Sequence, residues 1–176
     1  MKFAEWIKLN ESEKHSLWRN TSEDFLYNLL KNGKVSSKNK KFISLSEDPD
    51  SGGQDFYGNV RIEFNENEIL SQGGIFVDYE DPNFWKKHED VAKHVTGFRN
   101  AKEYYDDRGY EGAEDANLNA DLTWEQYCED FSTEMEVVIS SIKFTDNLIL
   151  SVSSKKQLGK EILKELNLYK IPVNDN

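Results

Sequence analysis

Cysteine is nearly absent from this 176-residue chain: Cys128 stands alone. It can close no disulfide within the chain, which suits a reducing compartment. No stretch approaches the roughly 18–20 consecutive apolar residues of a membrane-spanning helix. The opening residues Met1-Lys2-Phe3-Ala4-Glu5-Trp6 hold no apolar run of the secretory-leader kind. A cytoplasmic chain without membrane contact is the expectation. Basic charge is in deficit, with 22 Lys and Arg against 33 Asp and Glu and a formal net charge of −11. That balance disfavours direct contact with nucleic acid or anionic lipid and favours a basic partner, or solubility alone. Neither G-x-G-x-x-G nor a P-loop sequence occurs. His15, His88 and His94 lack metal-ligand spacing, and Cys128 has no His or Cys near it, so no metal site is expected. Asp48, Asp50 and Asp55 around Gly52 do not keep the order of a calcium loop.

What is present is a polar but foldable composition. Charged residues make up 31% and hydrophobic residues 37%, yet 12% aromatics argue against wholesale disorder and nominate Phe, Tyr and Trp as core-builders. The length fits one domain that buries roughly two thirds of its unfolded surface. Acid gathers in residues 103–121, which include Asp106, Asp107, Glu111, Glu114, Asp115 and Asp121. That segment reads either as a solvated loop or as an acidic docking surface.

Periodicity divides the chain. Phe3, Trp6 and Ile7 predict a short helix over residues 2–9. Residues 15–19 read as a strand. Thr21 or Ser22 caps a helix through Leu30 whose stripe is Phe25, Leu26, Leu29 and Leu30, with Gly33 as its stop. Residues 34–40 form a basic, Ser-rich connector. Residues 42–46 alternate like a strand, residues 47–56 form a loop, and Val60, Ile62 and Phe64 alternate with polar neighbours in a half-buried strand. Residues 74–79 are another strand. Asp81-Pro82 opens a helix to about Val95, and residues 98–107 form a second. Thr123 and Gln126 make a capping box for residues 124–131, where Cys128 reads as a small core residue. Strands over 135–144 and 148–152 flank the turn Thr145-Asp146-Asn147. Ser154 and Gln157 cap a last helix carrying Leu158, Ile162, Leu163 and Leu166, which Ile171-Pro172 ends. The order is α+β, without the alternation of a parallel nucleotide-binding sheet.

Three segments stand out. Arg19 ends a strand just before a helix. Ser44 and Ser46 share one face of a strand, and so do Glu134 and Glu136, because residues two apart on a strand point the same way. Two carboxylates opposite Met135, Val137 and Ile139 make sense if their face lines a cleft. Read singly, Arg19 serves equally well as a structural ion-pair partner, the serines as edge residues and the glutamates as a solvated face.

In this order the trio resembles the arginine-serine-glutamate class of mono-ADP-ribosyltransferases, from Leu17 to about Val152, and small phage-encoded proteins in which Phe42-Ile43-Ser44-Leu45-Ser46 precedes a strand such as Tyr57-Gly58-Asn59-Val60. The resemblance implies a single domain over residues 1–176. It would have an ADP-ribosyltransferase-like split, mixed or antiparallel β core with flanking helices and a helical, acidic insertion at about 81–131. It further implies NAD as substrate. Arg19 would take the pyrophosphate, with Ser44, Ser46 and Tyr57 as further NAD contacts and Phe56 as another stacking candidate. Glu136 would be the catalytic carboxylate. Glu134 would meet an arginine of a protein target, beside Tyr127 or Phe131. Asn20 and Leu45 depart from the glycine and threonine frequent at those places. With the acidic segment they motivate the alternative, a catalytically inactive transferase-like fold acting as an acidic binding or inhibitory protein.

Overall fold

The computed structural model describes residues 15–37, 41–49, 58–78, 82–96 and 136–175. The chain opens with strand β1 (Ser16–Thr21) and helix α1 (Glu23–Asn32). The Ser22 hydroxyl accepts from the Phe25 amide at 3.3 Å, Glu23 and Asp24 complement the positive end of the helix, and Gly33 closes it at φ 69°. Strands β2 (Lys34–Ser36), β3 (Ile43–Ser46) and β4 (Val60–Asn65) follow. In β4 the apolar residues are buried and the polar ones half-buried, one for one with the alternation in the sequence.

The remaining described elements are α2 (Glu66–Ser71), β5 (Ile75–Phe76), α3 (Pro82–Lys87), α4 (Glu89–Thr96), β6 (Glu136–Ile139), β7 (Ser141–Lys143), β8 (Ile149–Ser154), α5 (Lys160–Leu168) and β9 (Val173–Asp175). Seven strands form one sheet in the order β5-β6-β3-β1-β4-β8-β9, and β2 pairs with β7 in a second, two-stranded sheet. Among the described residues every pairing is antiparallel except β8 with β9. The architecture is therefore α+β with a mostly antiparallel sheet.

One sheet face carries Leu17, Leu45, Ile62, Phe64, Val137 and Val152 into a core closed by Leu26, Leu29 and Leu30 of α1 and Ile162 and Leu166 of α5. The two helices are joined by Lys31, which donates to the buried Glu165 at 3.0 Å; that hydrogen bond raises the Lys31 pKa. A smaller cluster unites Phe42, Val77 and Val138 with Val91 and Ala92 of α4. Val138 neighbours Val137 on β6, so α4 covers the opposite face of the sheet near β3 and β6.

Several elements differ from the sequence reading. Residues 66–71 are helical because Asn65 ends β4 and caps the next turn, its side chain accepting from the Asn67 amide. The helix expected from Asp81 to Val95 is two, broken at His88, whose carbonyl accepts from Val91 and Ala92 and so starts a new helix. The strand over 135–144 is interrupted at Ser140, because β6 pairs with β3 while β7 pairs with β2. The last helix begins at Lys160 after Gly159, without a side-chain cap, so Ser154 and Gln157 make no capping box; Ser154 instead ends β8 and donates to the Asn59 carbonyl. Part of the basic connector is β2, and β9 follows Pro172. The helices expected over 2–9, 98–107 and 124–131 lie outside the described residues, as does the whole acidic segment 103–121.

Candidate active site

The sheet order sets β6, β3 and β1 side by side, so the three segments singled out in the sequence occupy adjacent strands. Ser46 is the cross-strand partner of Glu136, and Ser44 that of Val138. Direct cross-strand partners project to the same side, which sets Ser44, Ser46 and Glu136 on one face. Trp18 of β1 pairs with Ser46 from the other flank. Glu136 is half-buried and, like Arg19 and His94, has interacting neighbours. Its backbone is held twice, by the β3 ladder and by the Val77 amide, which donates to the Glu136 carbonyl at 2.8 Å.

The two serines have different partners. Ser46 is buried and its hydroxyl accepts from the Asp48 amide at 3.1 Å, a local turn that closes β3. Ser44 is half-buried, and its hydroxyl lies 2.9 Å from Nε2 of His94 on α4. His94 also meets Phe42 edge-on, with ring centroids 5.5 Å apart. The first turn of α4 is tied back to the start of β3 by an ion pair between Asp90 and Lys41, which holds the Asp90 carboxyl below its ordinary value.

Arg19 leaves β1 on the other pleat. It pairs with Ile62 and alternates with Trp18, so it starts out on the face of Leu17 and Ile62. Its guanidinium then stacks over Phe25 of α1 at 5.4 Å and donates from Nη1 to the Ser44 carbonyl at 2.7 Å. β1 and β3 share a single register pair, Trp18 with Ser46. Past that pair the guanidinium spans the two strands by a side-chain bond to the Ser44 backbone.

Glu134 and Tyr57, with Phe56, Tyr127 and Phe131, lie outside the described residues. Sequence reasoning considered His94 only as a metal ligand. Its position three residues after Val91, on the buried side of an amphipathic helix, is the signal that it faces inward. Among the described residues no group of three or more His, Cys, Asp or Glu could hold a metal ion, and no helix is long and apolar enough to cross a membrane.

A second acidic pair lies just beyond β3. Glu47 follows Ser46, and Glu66 opens α2; each has a buried carboxylate oxygen without a hydrogen-bond partner. Burial raises the pKa of both, Glu66 raises that of Glu47 further, and His15 partly offsets the effect on each.

No family model and no curated protein matches the chain. A solved structure, that of Thermus sp. 2.9 DarT in complex with carba-NAD+, is similar at 15% identity over 93% of this chain and 95% of that one, with a TM-score of 0.45. That likeness is too loose to bear on fold or function.

Proposed function

We propose that the chain is an NAD-dependent mono-ADP-ribosyltransferase that modifies an arginine of a protein target, and that it is a phage protein acting on a host factor. The observation that carries this reading is the meeting of three segments far apart in sequence: Ser46 opposite Glu136, with the Arg19 guanidinium on the carbonyl of Ser44. The donor set fits the ligand. A guanidinium suits phosphate oxygens, a strand hydroxyl suits a ribose hydroxyl, and a carboxylate suits a sugar carbon that turns positive as its leaving group departs.

NAD would supply the ADP-ribosyl group and nicotinamide as leaving group. As the bond from the ribose C1′ to nicotinamide breaks, its electron pair goes to nicotinamide, and Glu136 stabilises the charge left on the sugar. A guanidine nitrogen of the target forms the new bond to C1′, and Glu134 takes the proton it loses. Glu134 also suits arginine as acceptor, since a carboxylate pairs well with a guanidinium.

The test is transfer of label from NAD to protein in a host lysate. Wild type is expected to label protein, and Glu136→Gln to lose at least about 100-fold in rate, the order of effect of removing a group that stabilises transition-state charge, while melting like wild type. Wild type that neither binds NAD nor labels protein would overturn the reading. A second reading is favoured by the start of Arg19 on the core face and its stacking over Phe25: an inactive transferase-like fold in which Arg19 only braces the sheet, and the acidic chain binds a basic partner. Under it, Arg19→Ala lowers stability and Glu136→Gln changes nothing that a partner pull-down measures.

A further inference from the structure

We propose that His94 is a positioning residue that sets the direction of the Ser44 hydroxyl toward the nicotinamide-ribose portion of NAD. This inference rests on the transferase reading for its ligand, and on the geometry alone for the pairing.

Residues 50 positions apart are joined here, the Ser44 hydroxyl lying 2.9 Å from Nε2 of His94. The imidazole is itself restrained. Phe42 meets it edge-on, and Val91 and Ala92 of the same helix are fully buried against Phe42, Val77 and Val138. Lys41 and Asp90 tie the start of the helix to the start of the strand. Ser44 is thus held at two points from two elements: its carbonyl accepts from Arg19 of β1, and its hydroxyl is bonded to His94 of α4.

The chemical consequence follows from what each group can donate and accept. A serine hydroxyl left alone turns among staggered positions and points its proton anywhere. With an unprotonated Nε2 beside it, the hydroxyl donates to His94 and leaves its lone pairs for a ligand donor, such as a ribose O–H or the carboxamide NH₂. With a proton on Nε2 the roles reverse, and Ser44 is free to donate. His94 therefore decides whether Ser44 meets the ligand as acceptor or donor, without touching the ligand itself.

The experiment compares NAD affinity, read as thermal stabilisation over a range of NAD concentrations, for wild type, His94→Phe, His94→Gln and Ser44→Ala. Phenylalanine keeps a ring against Phe42 and removes the hydrogen bond; glutamine keeps a polar atom near the position of Nε2. His94→Phe is expected to weaken NAD binding about fivefold to tenfold, the scale of one lost hydrogen bond. Its melting point without NAD should stay close to that of wild type. His94→Gln is expected to restore most of the affinity. In a Ser44→Ala background, His94→Phe should have no further effect. A His94→Phe protein that binds NAD like wild type, or one whose full loss persists in the Ser44→Ala background, overturns the proposal. Absence of any NAD effect in wild type overturns the nucleotide reading and the ligand named here. The positioning is then decided by the ¹⁵N shift of His94 Nε2, expected to differ between wild type and Ser44→Ala; identical shifts overturn the pairing as well.

Discussion

Glu66 is almost completely buried, and its Oε2 has no hydrogen-bond partner. Its carboxyl titrates above the ordinary 4.5 because burial disfavours the charged form, while His15 partly restores that form and Glu47 lies close enough to be raised in turn. An acid with a raised pKa in the folded state keeps its proton where the unfolded chain has already lost it. Its favourable contribution is full below the unfolded value, and it is lost as pH rises through the folded one. Melting measured from pH 4.5 to pH 8 should therefore decline with pH in wild type more steeply than in Glu66→Gln, which should melt higher at pH 8. A steeper decline in Glu66→Gln would contradict the assignment. Gly58 is a different case at the same scale. It adopts φ 134°, and a Cβ there would overlap the Thr21 carbonyl at the end of β1. Gly58→Ala is expected to destabilise by about 1–3 kcal/mol, from strain in a region that L side chains avoid, measurable by urea denaturation.

Among the elements, α1 and β4 were legible in the sequence because each carries its own punctuation. Ser22 and Gly33 bracket one, and strict alternation defines the other. Replacing Ser22 with alanine should cost about 1 kcal/mol and lower the denaturation midpoint without changing the slope. The elements that escaped are those whose reason to exist lies elsewhere in the chain. β9 is three residues long and is held by a parallel pairing to β8. α2 has six residues, too few to show a period, and it is fixed by Asn65 behind it and by contacts ahead. Gln72, just after α2, meets the Lys143 backbone of β7 with both ends of its amide, at 2.7 and 3.0 Å, and Thr145 donates to Glu68. The amide occupies backbone groups that an edge strand would otherwise offer to another chain. In the candidate site the alternation of Ser44, Ser46 and Glu136 was readable. The pleat of Arg19 was not, because it depends on a register with β4 that strand periodicity does not encode, and the Ser44 contact of His94 depends on how α4 docks.

For the molecule as a whole, the formal charge of −11 bears on the ligand proposed. NAD is an anion, so the long-range field opposes its approach, and the Arg19 guanidinium acts only at short range. Screening lengths fall from about 30 Å at 0.01 M to about 10 Å at 0.1 M salt. NAD affinity should then rise, or hold level, as NaCl increases over that interval, whereas a ligand drawn in by a basic surface would weaken. Isothermal titration at three salt concentrations decides it. A steep loss of affinity with salt would mean that a local positive field, stronger than the global negative one, dominates capture.

The placement of β6 between β5 and β3 has a consequence for synthesis. A ribosome releases β1, β3, β4 and α1 to α4 well before residues 136–139 emerge. Until then the outer rim of β3 lacks the strand that pairs with it among the described residues, and α5, which covers part of the apolar layer, has yet to be translated. The nascent chain must wait half-assembled, with a bare strand rim that any sticky segment can capture. Chaperone attendance or fast elongation over the intervening stretch would protect it, and fragments that end before residue 136 should aggregate rather than fold.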